Sequence, residues 1–211
     1  MTDKLEILVV EDREENISAA KNYFSKMENV LVDYAKDYTE AITNLESKKY
    51  NGVISDIFFP QTTGSEERQL GKKLIYTLAK EYLASNEAKE ASESLANYEK
   101  FVGIDKFPEF ISSGDKYGID FGSLTELYKN LEKDSSNQPL GLLIADEAKK
   151  KGTKIVLATS LNHHHASAQP AMSYGWTRKI EICEANSEGD YTKSSADFWQ
   201  SAFKRLMGER R

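Results

Sequence analysis

The chain has 211 residues, of which 39% are hydrophobic, so it is long enough for one domain with an elaboration and is not disordered in bulk. Its formal net charge of -6 argues against general affinity for nucleic acid, because such binding is led by phosphate neutralisation. The single cysteine, Cys183, excludes an internal disulfide framework. No run resembles a signal peptide or approaches the length of a membrane span, so we expect a cytoplasmic protein without membrane contact.

The first sixty residues alternate between strand and helix patterns. A near-continuous apolar run, typical of a strand covered on both faces, occupies residues 5–10, and residues 30–34 and 52–56 are predicted as the second and third strands. Ile17, Ala20 and Phe24 recur at helical spacing after the first run, and Asp37 with Glu40 resembles a capping box before the next helix. This β-α-β-α-β order predicts a doubly wound parallel α/β sheet.

The alternation resumes near residue 139 and continues to the end of the last helix. A helical stripe over residues 140–148 ends in three lysines and a glycine, and strands are predicted at 154–159 and 180–183. A final helix opens at residues 194–197. We therefore predict a single domain over residues 1–211 with five strands.

Residues 65–138 interrupt this rhythm and are predicted to form a helical insertion between strands 3 and 4. Leu70, Leu74, Leu78 and Tyr82 keep helical spacing there. Several aromatic residues follow, and they must be buried either against the body of the domain or against another chain. The insertion is therefore a candidate surface for a partner or for self-association.

Acidic residues follow two of the predicted strands. Glu11 and Asp12 come directly after the first strand, and Asp56 closes the third. Because the carboxyl ends of parallel strands share one edge of the sheet, the three acids are expected to meet in one pocket. Carboxylate oxygens are the ligands that hard cations prefer, so the pocket is a candidate metal site.

These motifs together resemble the receiver domain of two-component response regulators. In that family an acidic pair follows the first strand, and a phosphoacceptor Asp closes the third in the pattern Asp-(Leu/Ile)-x-x-Pro-x-x-x-Gly. The chain reads Asp56-Ile57-Phe58-Phe59-Pro60-Gln61-Thr62-Thr63-Gly64 and matches every fixed position. The resemblance covers about residues 4–64 and 139–207 and implies a flavodoxin-like receiver fold.

The resemblance also implies a cofactor and a phosphodonor. Mg²⁺ would be held by Glu11, Asp12, Asp56 and the backbone carbonyl of Phe58, and Asp56 would accept a phosphoryl group from a sensor histidine kinase. Thr159, at the end of the fourth strand, matches the hydroxyl residue that binds the phosphoryl group in receivers, with Ser160 as the alternate.

The chain departs from the receiver pattern at the fifth strand, where receivers carry Lys followed by Pro. Lys179 lies at the wrong end of that strand, and Glu184 lies near its active end. Lys193 could reach back from the next loop, although no pattern requires it. This departure weakens the case for phosphorylation-dependent switching more than it weakens the case for the fold.

The main interpretation is an atypical receiver that acts through protein contacts and is not an enzyme. The first alternative is a phosphorylation-independent pseudo-receiver, which the missing Lys-Pro favours. The second is a metal-dependent phosphohydrolase that would combine the acids with His163, His164 and His165, although no hydrolase motif supports it. Cys183 is expected to be a buried strand residue, and Trp176 and Trp199 are expected to pack in the core or at its edge.

Overall fold

The computed structural model describes residues 4–59, 74, 76–78, 138–160, 169–185 and 192–209. The chain divides into two compact units, the first made of Met1–Pro60, Pro139–His163 and Ala171–Arg211, and the second of Gln61–Gln138 and His164–Pro170. Most of the second unit lies outside the described residues. Within it, Leu74 and residues 76–78 are helical, and Leu74 and Leu78 of the predicted stripe are buried. The insertion over residues 65–138 and the single-domain boundary remain predictions.

Strands and helices alternate along the part of the chain that the structure describes outside the second unit. In chain order they are β1 (Leu5–Val10), α1 (Glu14–Phe24), β2 (Val30–Ala35), α2 (Tyr38–Ser47), β3 (Gly52–Asp56), α3 (Leu140–Lys150), β4 (Lys154–Thr159), α4 (Gln169–Thr177), β5 (Glu181–Glu184) and α5 (Ala196–Met207).

The five strands form one parallel sheet in the order β2-β1-β3-β4-β5. This is the flavodoxin-like order, so the prediction of a doubly wound α/β fold is confirmed. β2 lies on one side of β1, and β3 lies on the other side, so the direction in which strands are added reverses after β2. The resulting switch point, between the carboxyl ends of β1 and β3, is where ligands bind in open α/β sheets.

The register aligns the carboxyl ends of the central strands. Val10 lies beside Ser55, so the residues that follow β1 adjoin Asp56 at the end of β3. Asp56 in turn lies beside Ala158, one position before Thr159. The residues expected to carry chemistry therefore share one edge of the sheet.

The central strands are covered on both faces, as their apolar runs predict. All five residues of β3 and the last four of β1 are buried. Helices α1 and α5 pack together over one face, where Phe24, Trp199 and Leu206 belong to the same apolar cluster. Burying each large apolar side chain contributes about 1.5–3 kcal/mol, so this cluster holds the sheet and both helices as one body.

Local signals fix the helix ends. The Asp37 side chain accepts a hydrogen bond from the Glu40 N–H at 2.8 Å, which confirms the predicted cap of α2. The Glu40 carboxylate accepts a hydrogen bond from the Lys36 N–H, one residue before Asp37. Ser195 caps α5 by accepting from the Phe198 N–H at 3.3 Å. In the segments that the structure describes, no helix is both long and apolar enough to cross a membrane.

Candidate functional site

Three carboxylates converge at the switch point of the sheet. One oxygen from each of Glu11, Asp12 and Asp56 lies within 4.8 Å of the others. Glu11 and Asp56 are buried, and Asp12 is half-buried. The expected meeting of these acids is therefore observed, and their oxygens form a donor set suited to a hard cation.

The position of Glu11 is fixed by its own backbone and by the start of α1. Its N–H donates to the Ala35 carbonyl at 3.0 Å, which extends the β1–β2 ladder by one residue. Its Oε1 accepts from the Arg13 N–H at 3.2 Å and from Asn16 Nδ2 at 3.0 Å. Oε1 is thus held by residues at the start of α1, and Oε2 faces Lys193 and the other acids.

Asp56 is oriented in the same way, with one oxygen held and one directed at a charge. Its Oδ1 accepts from the Ile57 N–H at 2.6 Å, with a longer contact of 3.4 Å from the Phe58 N–H. Its Oδ2 lies 2.5 Å from the Lys193 ammonium. Phe58, whose carbonyl the resemblance implies as a metal ligand, is buried two residues beyond Asp56.

Lys193 is the cation of this cluster. Its ammonium contacts both Glu11 Oε2 and Asp56 Oδ2, and the residue is only 3% exposed. Its backbone carbonyl accepts a hydrogen bond of 2.7 Å from the indole N–H of Trp199, a core residue of α5. The loop before α5 is thereby anchored, and it places an ammonium where the fifth strand provides none.

The electrostatics follow from burial and from an imbalance of charge. Burial raises the pKa of Asp56 to about 7, although the Lys193 ammonium opposes this rise. Burial and the neighbouring Glu11 raise the pKa of Asp12. Burial acts to lower the pKa of Lys193, but Asp56 and Glu11 outweigh it and raise that pKa above its usual value. Among the residues that the structure describes, one ammonium lies beside three carboxyl groups, so a bound cation would relieve part of their mutual repulsion.

Gly141, near the start of α3, allows the helix to approach the Asp56 loop closely. Its N–H donates to the Ile57 carbonyl at 3.0 Å. A Cβ atom at Gly141 would lie 1.9 Å from the Asp56 carbonyl oxygen, so any side chain there must displace the backbone of the loop. The small residue therefore supports the position of Asp56.

The other residues singled out in the sequence lie as follows. Thr159 ends β4 and is 1% exposed, on the same edge as Asp56. Glu184 is half-buried beside Thr159. Lys179 precedes β5 and is exposed, at the end of the strand away from the acids, as expected. His163, His164 and His165 lie outside the described residues.

The sequence analysis named Lys193 without assigning it to the site and Trp199 only as a packing residue, and it did not name Asn16 or Gly141. Asn16 lies in the first turn of α1, five residues after Glu11, so its hydrogen bond to Glu11 is a local contact. Lys193 lies 137 residues from Asp56, and no local pattern encodes that contact.

Comparisons with known proteins give a likeness among solved structures. No protein-family model matches the chain, and no curated protein matches it. Among solved structures, the chain is similar to the signal receiver domain of an HD domain-containing protein from Pseudomonas fluorescens Pf-5. The two are 14% identical, the match covers 98% of this chain and 99% of the other, and the TM-score is 0.42. The fold assignment therefore rests on the strand order and register described above.

Proposed function

We propose that this protein is an atypical response-regulator receiver in phosphorelay signal transduction, with Asp56 as a Mg²⁺-dependent phosphoacceptor. One observation carries the proposal: at the switch point of the sheet, the Glu11, Asp12 and Asp56 carboxylates meet, and Lys193 contacts two of them. A nucleophile, a cation site and an ammonium are the groups that transfer of a phosphoryl group to a carboxylate requires.

The cluster fits Mg²⁺ by the chemistry of its donors. Glu11, Asp12 and Asp56 supply carboxylate oxygens, and the Phe58 carbonyl is the fourth ligand that the receiver resemblance implies. Mg²⁺ is held in proteins by a few carboxylates and by phosphate oxygens of the substrate, which suits an edge of this kind. When bound, Mg²⁺ would neutralise charge that develops on the phosphoryl oxygens.

The roles of the protein groups follow from which atoms are already held. Asp56 Oδ1 is bonded by the Ile57 N–H, so Oδ2 is the atom that attacks phosphorus. A new bond forms between Oδ2 and phosphorus while the bond from phosphorus to the donor breaks, and the leaving group departs with that electron pair. The Lys193 ammonium moves from Oδ2 to a phosphoryl oxygen, and the Thr159 hydroxyl binds another.

The proposed partners are signalling proteins. The phosphodonor is a sensor histidine kinase, and the output passes through contacts with another protein or a second copy of this chain, for which residues 65–138 are the candidate surface. The role requires neither nucleic acid nor a membrane, and we place it in the cytoplasm. In this account the protein relays a signal and does not turn over a substrate.

One observation favours the pseudo-receiver alternative. Lys193 already neutralises part of the cluster in a buried ion pair, so the site can hold together without a metal or a phosphoryl group. A protein built in this way could act as a constitutive interaction module. The phosphohydrolase alternative depends on His163, His164 and His165, which lie outside the described residues.

Incubation with acetyl phosphate and Mg²⁺ tests the proposal. The intact mass of the wild-type protein should increase by one phosphoryl unit, whereas Asp56→Asn should show no increase. Asp197→Asn, which removes an exposed carboxylate from α5, is the matched control and should be modified like the wild type. Absence of the adduct in the wild type would support the pseudo-receiver alternative.

A further inference from the structure

A cleft of about 1000 Å³ opens on the opposite edge of the sheet from Asp56. It lies at the amino ends of β4 and β5, between the end of α3 and one side of α5 along most of its length. Ile155, Ile180 and Leu206 give it a buried apolar floor. Its volume falls at the upper end of the range for small-molecule sites.

The charge of this cleft is opposite to that of the whole chain. Five cationic side chains and three carboxylates line it, in a protein of net charge -6. The cations are Lys149, Lys154, Lys179, Lys204 and Arg205, and the acids are Glu181, Asp197 and Glu209. A concave surface with an excess of positive charge concentrates anions, so the cleft is suited to a negatively charged ligand.

Two of the five cations already have partners. The Lys149 ammonium donates to the Arg178 carbonyl at 2.7 Å, and Arg205 Nη1 donates to the Ile182 carbonyl at 2.9 Å. The remaining three ammoniums, on exposed Lys154, Lys179 and Lys204, make no ion pair with any residue that the structure describes. These three are therefore available to bind an anion with more than one charge.

The backbone at Lys179 provides an independent indication. Its φ of 55° is in the left-handed region, and among the described residues no other non-glycine has a positive φ. The position follows the end of α4, where the Ile180 N–H donates to the Gly175 carbonyl at 2.9 Å, and helix ends of this kind favour glycine. The backbone therefore gives no reason for a lysine here, whereas the cleft does.

We propose that this cleft binds a small phosphorylated ligand of nucleotide size. Lys154, Lys179 and Lys204 pair with its phosphate oxygens, and the apolar floor contacts its uncharged body. Lysine suits this role because its ammonium is a compact charge with three donors. The site is separate from the acidic cluster, and its existence does not depend on the phosphorylation of Asp56.

Calorimetric titration with ATP in EDTA tests the proposal, since EDTA removes any contribution from a metal at the acidic cluster. Wild type should bind ATP, and Lys179→Gly and Lys204→Gln should each weaken binding by about fivefold, as expected for the loss of one partly exposed ion pair. Lys179→Gly should melt at or above the wild-type temperature, because glycine suits the left-handed backbone. This result would separate a loss of binding from a loss of folding.

Two further titrations define the ligand and the control. Pyrophosphate should bind more weakly than ATP, because it lacks the uncharged body that the apolar floor contacts, and equal binding would contradict a ligand of nucleotide size. Lys26→Gln, which removes an exposed lysine outside the cleft, should bind ATP like the wild type. The proposal is overturned if millimolar ATP does not bind the wild type. It is also overturned if Lys179→Gly and Lys204→Gln bind ATP as tightly as the Lys26→Gln control.

Discussion

The ammonium of Lys193 lies 2.5 Å from Oδ2 of Asp56, although the two residues are 137 positions apart in the chain. The same ammonium contacts Glu11, so the loop before α5 is joined to the ends of both β1 and β3. The receiver pattern places its lysine at the end of the fifth strand. In this chain the ammonium that contacts the acids comes from the loop between β5 and α5.

Replacing Lys193 with Met should destabilise the protein, because it removes the ammonium. Met keeps most of the side-chain volume, so the effect of the lost charge is measured with little added cavity. Glu11 and Asp56 would then lie buried beside each other without a cation. Breaking a buried ion pair in this way costs about 3–5 kcal/mol. Urea unfolding in EDTA measures the loss, and added Mg²⁺ should restore part of it. A variant as stable as the wild type in EDTA would show that Lys193 does not hold the cluster together.

Gly141→Ala should disturb the site, because its Cβ would lie 1.9 Å from the Asp56 carbonyl oxygen. Overpacking of this kind costs about 1–3 kcal/mol. The matched control is Gly152→Ala, which has no atom within 4 Å of the added Cβ but has a φ of 68°, so it should lose about 1–2 kcal/mol through the backbone alone. Only Gly141→Ala should also slow the modification of Asp56 by acetyl phosphate. Equal rates in the two variants would remove the role assigned to Gly141.

Trp199→Phe should weaken the anchoring of the Lys193 backbone, since it removes the indole N–H that donates to the Lys193 carbonyl at 2.7 Å. The lost hydrogen bond should reduce stability by about 1 kcal/mol, and the smaller ring adds a cavity cost. Phe198→Leu creates a comparable void in the same buried layer without touching that bond. Acetyl phosphate kinetics should be slower for Trp199→Phe than for Phe198→Leu at equal stability, and the reverse order would contradict the anchoring role.

Much of the fold was predictable from sequence because its signals are local. Strands β1, β3 and β4, in the middle of the sheet, are largely buried and carry the apolar runs that predicted them, whereas the edge strands β2 and β5 are only partly buried. Helix α4 was not predicted, because its sequence QPAMSYGWT combines Pro, Gly and Thr with few strong helix formers. The packing prediction for the tryptophans holds for Trp199, which is 1% exposed, and fails for Trp176, which is 50% exposed.

The residues of the candidate site also differ in how far the sequence could predict them. The three acids were predictable because each follows a recognisable strand and parallel strands share an edge. Lys193 could not be assigned, since its contact depends on the path of a loop and on Trp199 beneath it. Cys183 is buried in β5, as expected, because a strand covered on both faces leaves its thiol no access to solvent.

Deleting residues 85–138 and joining the flanks with a short Gly-Ser linker tests the predicted insertion. If it serves as a partner or self-association surface, the shortened protein should remain folded, and light scattering should show any oligomer of the full chain reduced to monomer. Circular dichroism provides the control for folding. An unfolded product would instead make these residues part of the core and would remove the main support for the partner surface.

Glu11, Asp12 and Asp56 are proposed to bind Mg²⁺, and a thermal melt with added Mg²⁺ at constant ionic strength tests this site. A cation that binds only the folded state stabilises it by about 2.7 kcal/mol at a concentration 100 times its Kd, so the melting temperature of the wild type should increase as Mg²⁺ is added. Asp56→Asn should lose most of that increase, and Asp197→Asn should retain it. An equal increase in wild type and Asp56→Asn would contradict the site.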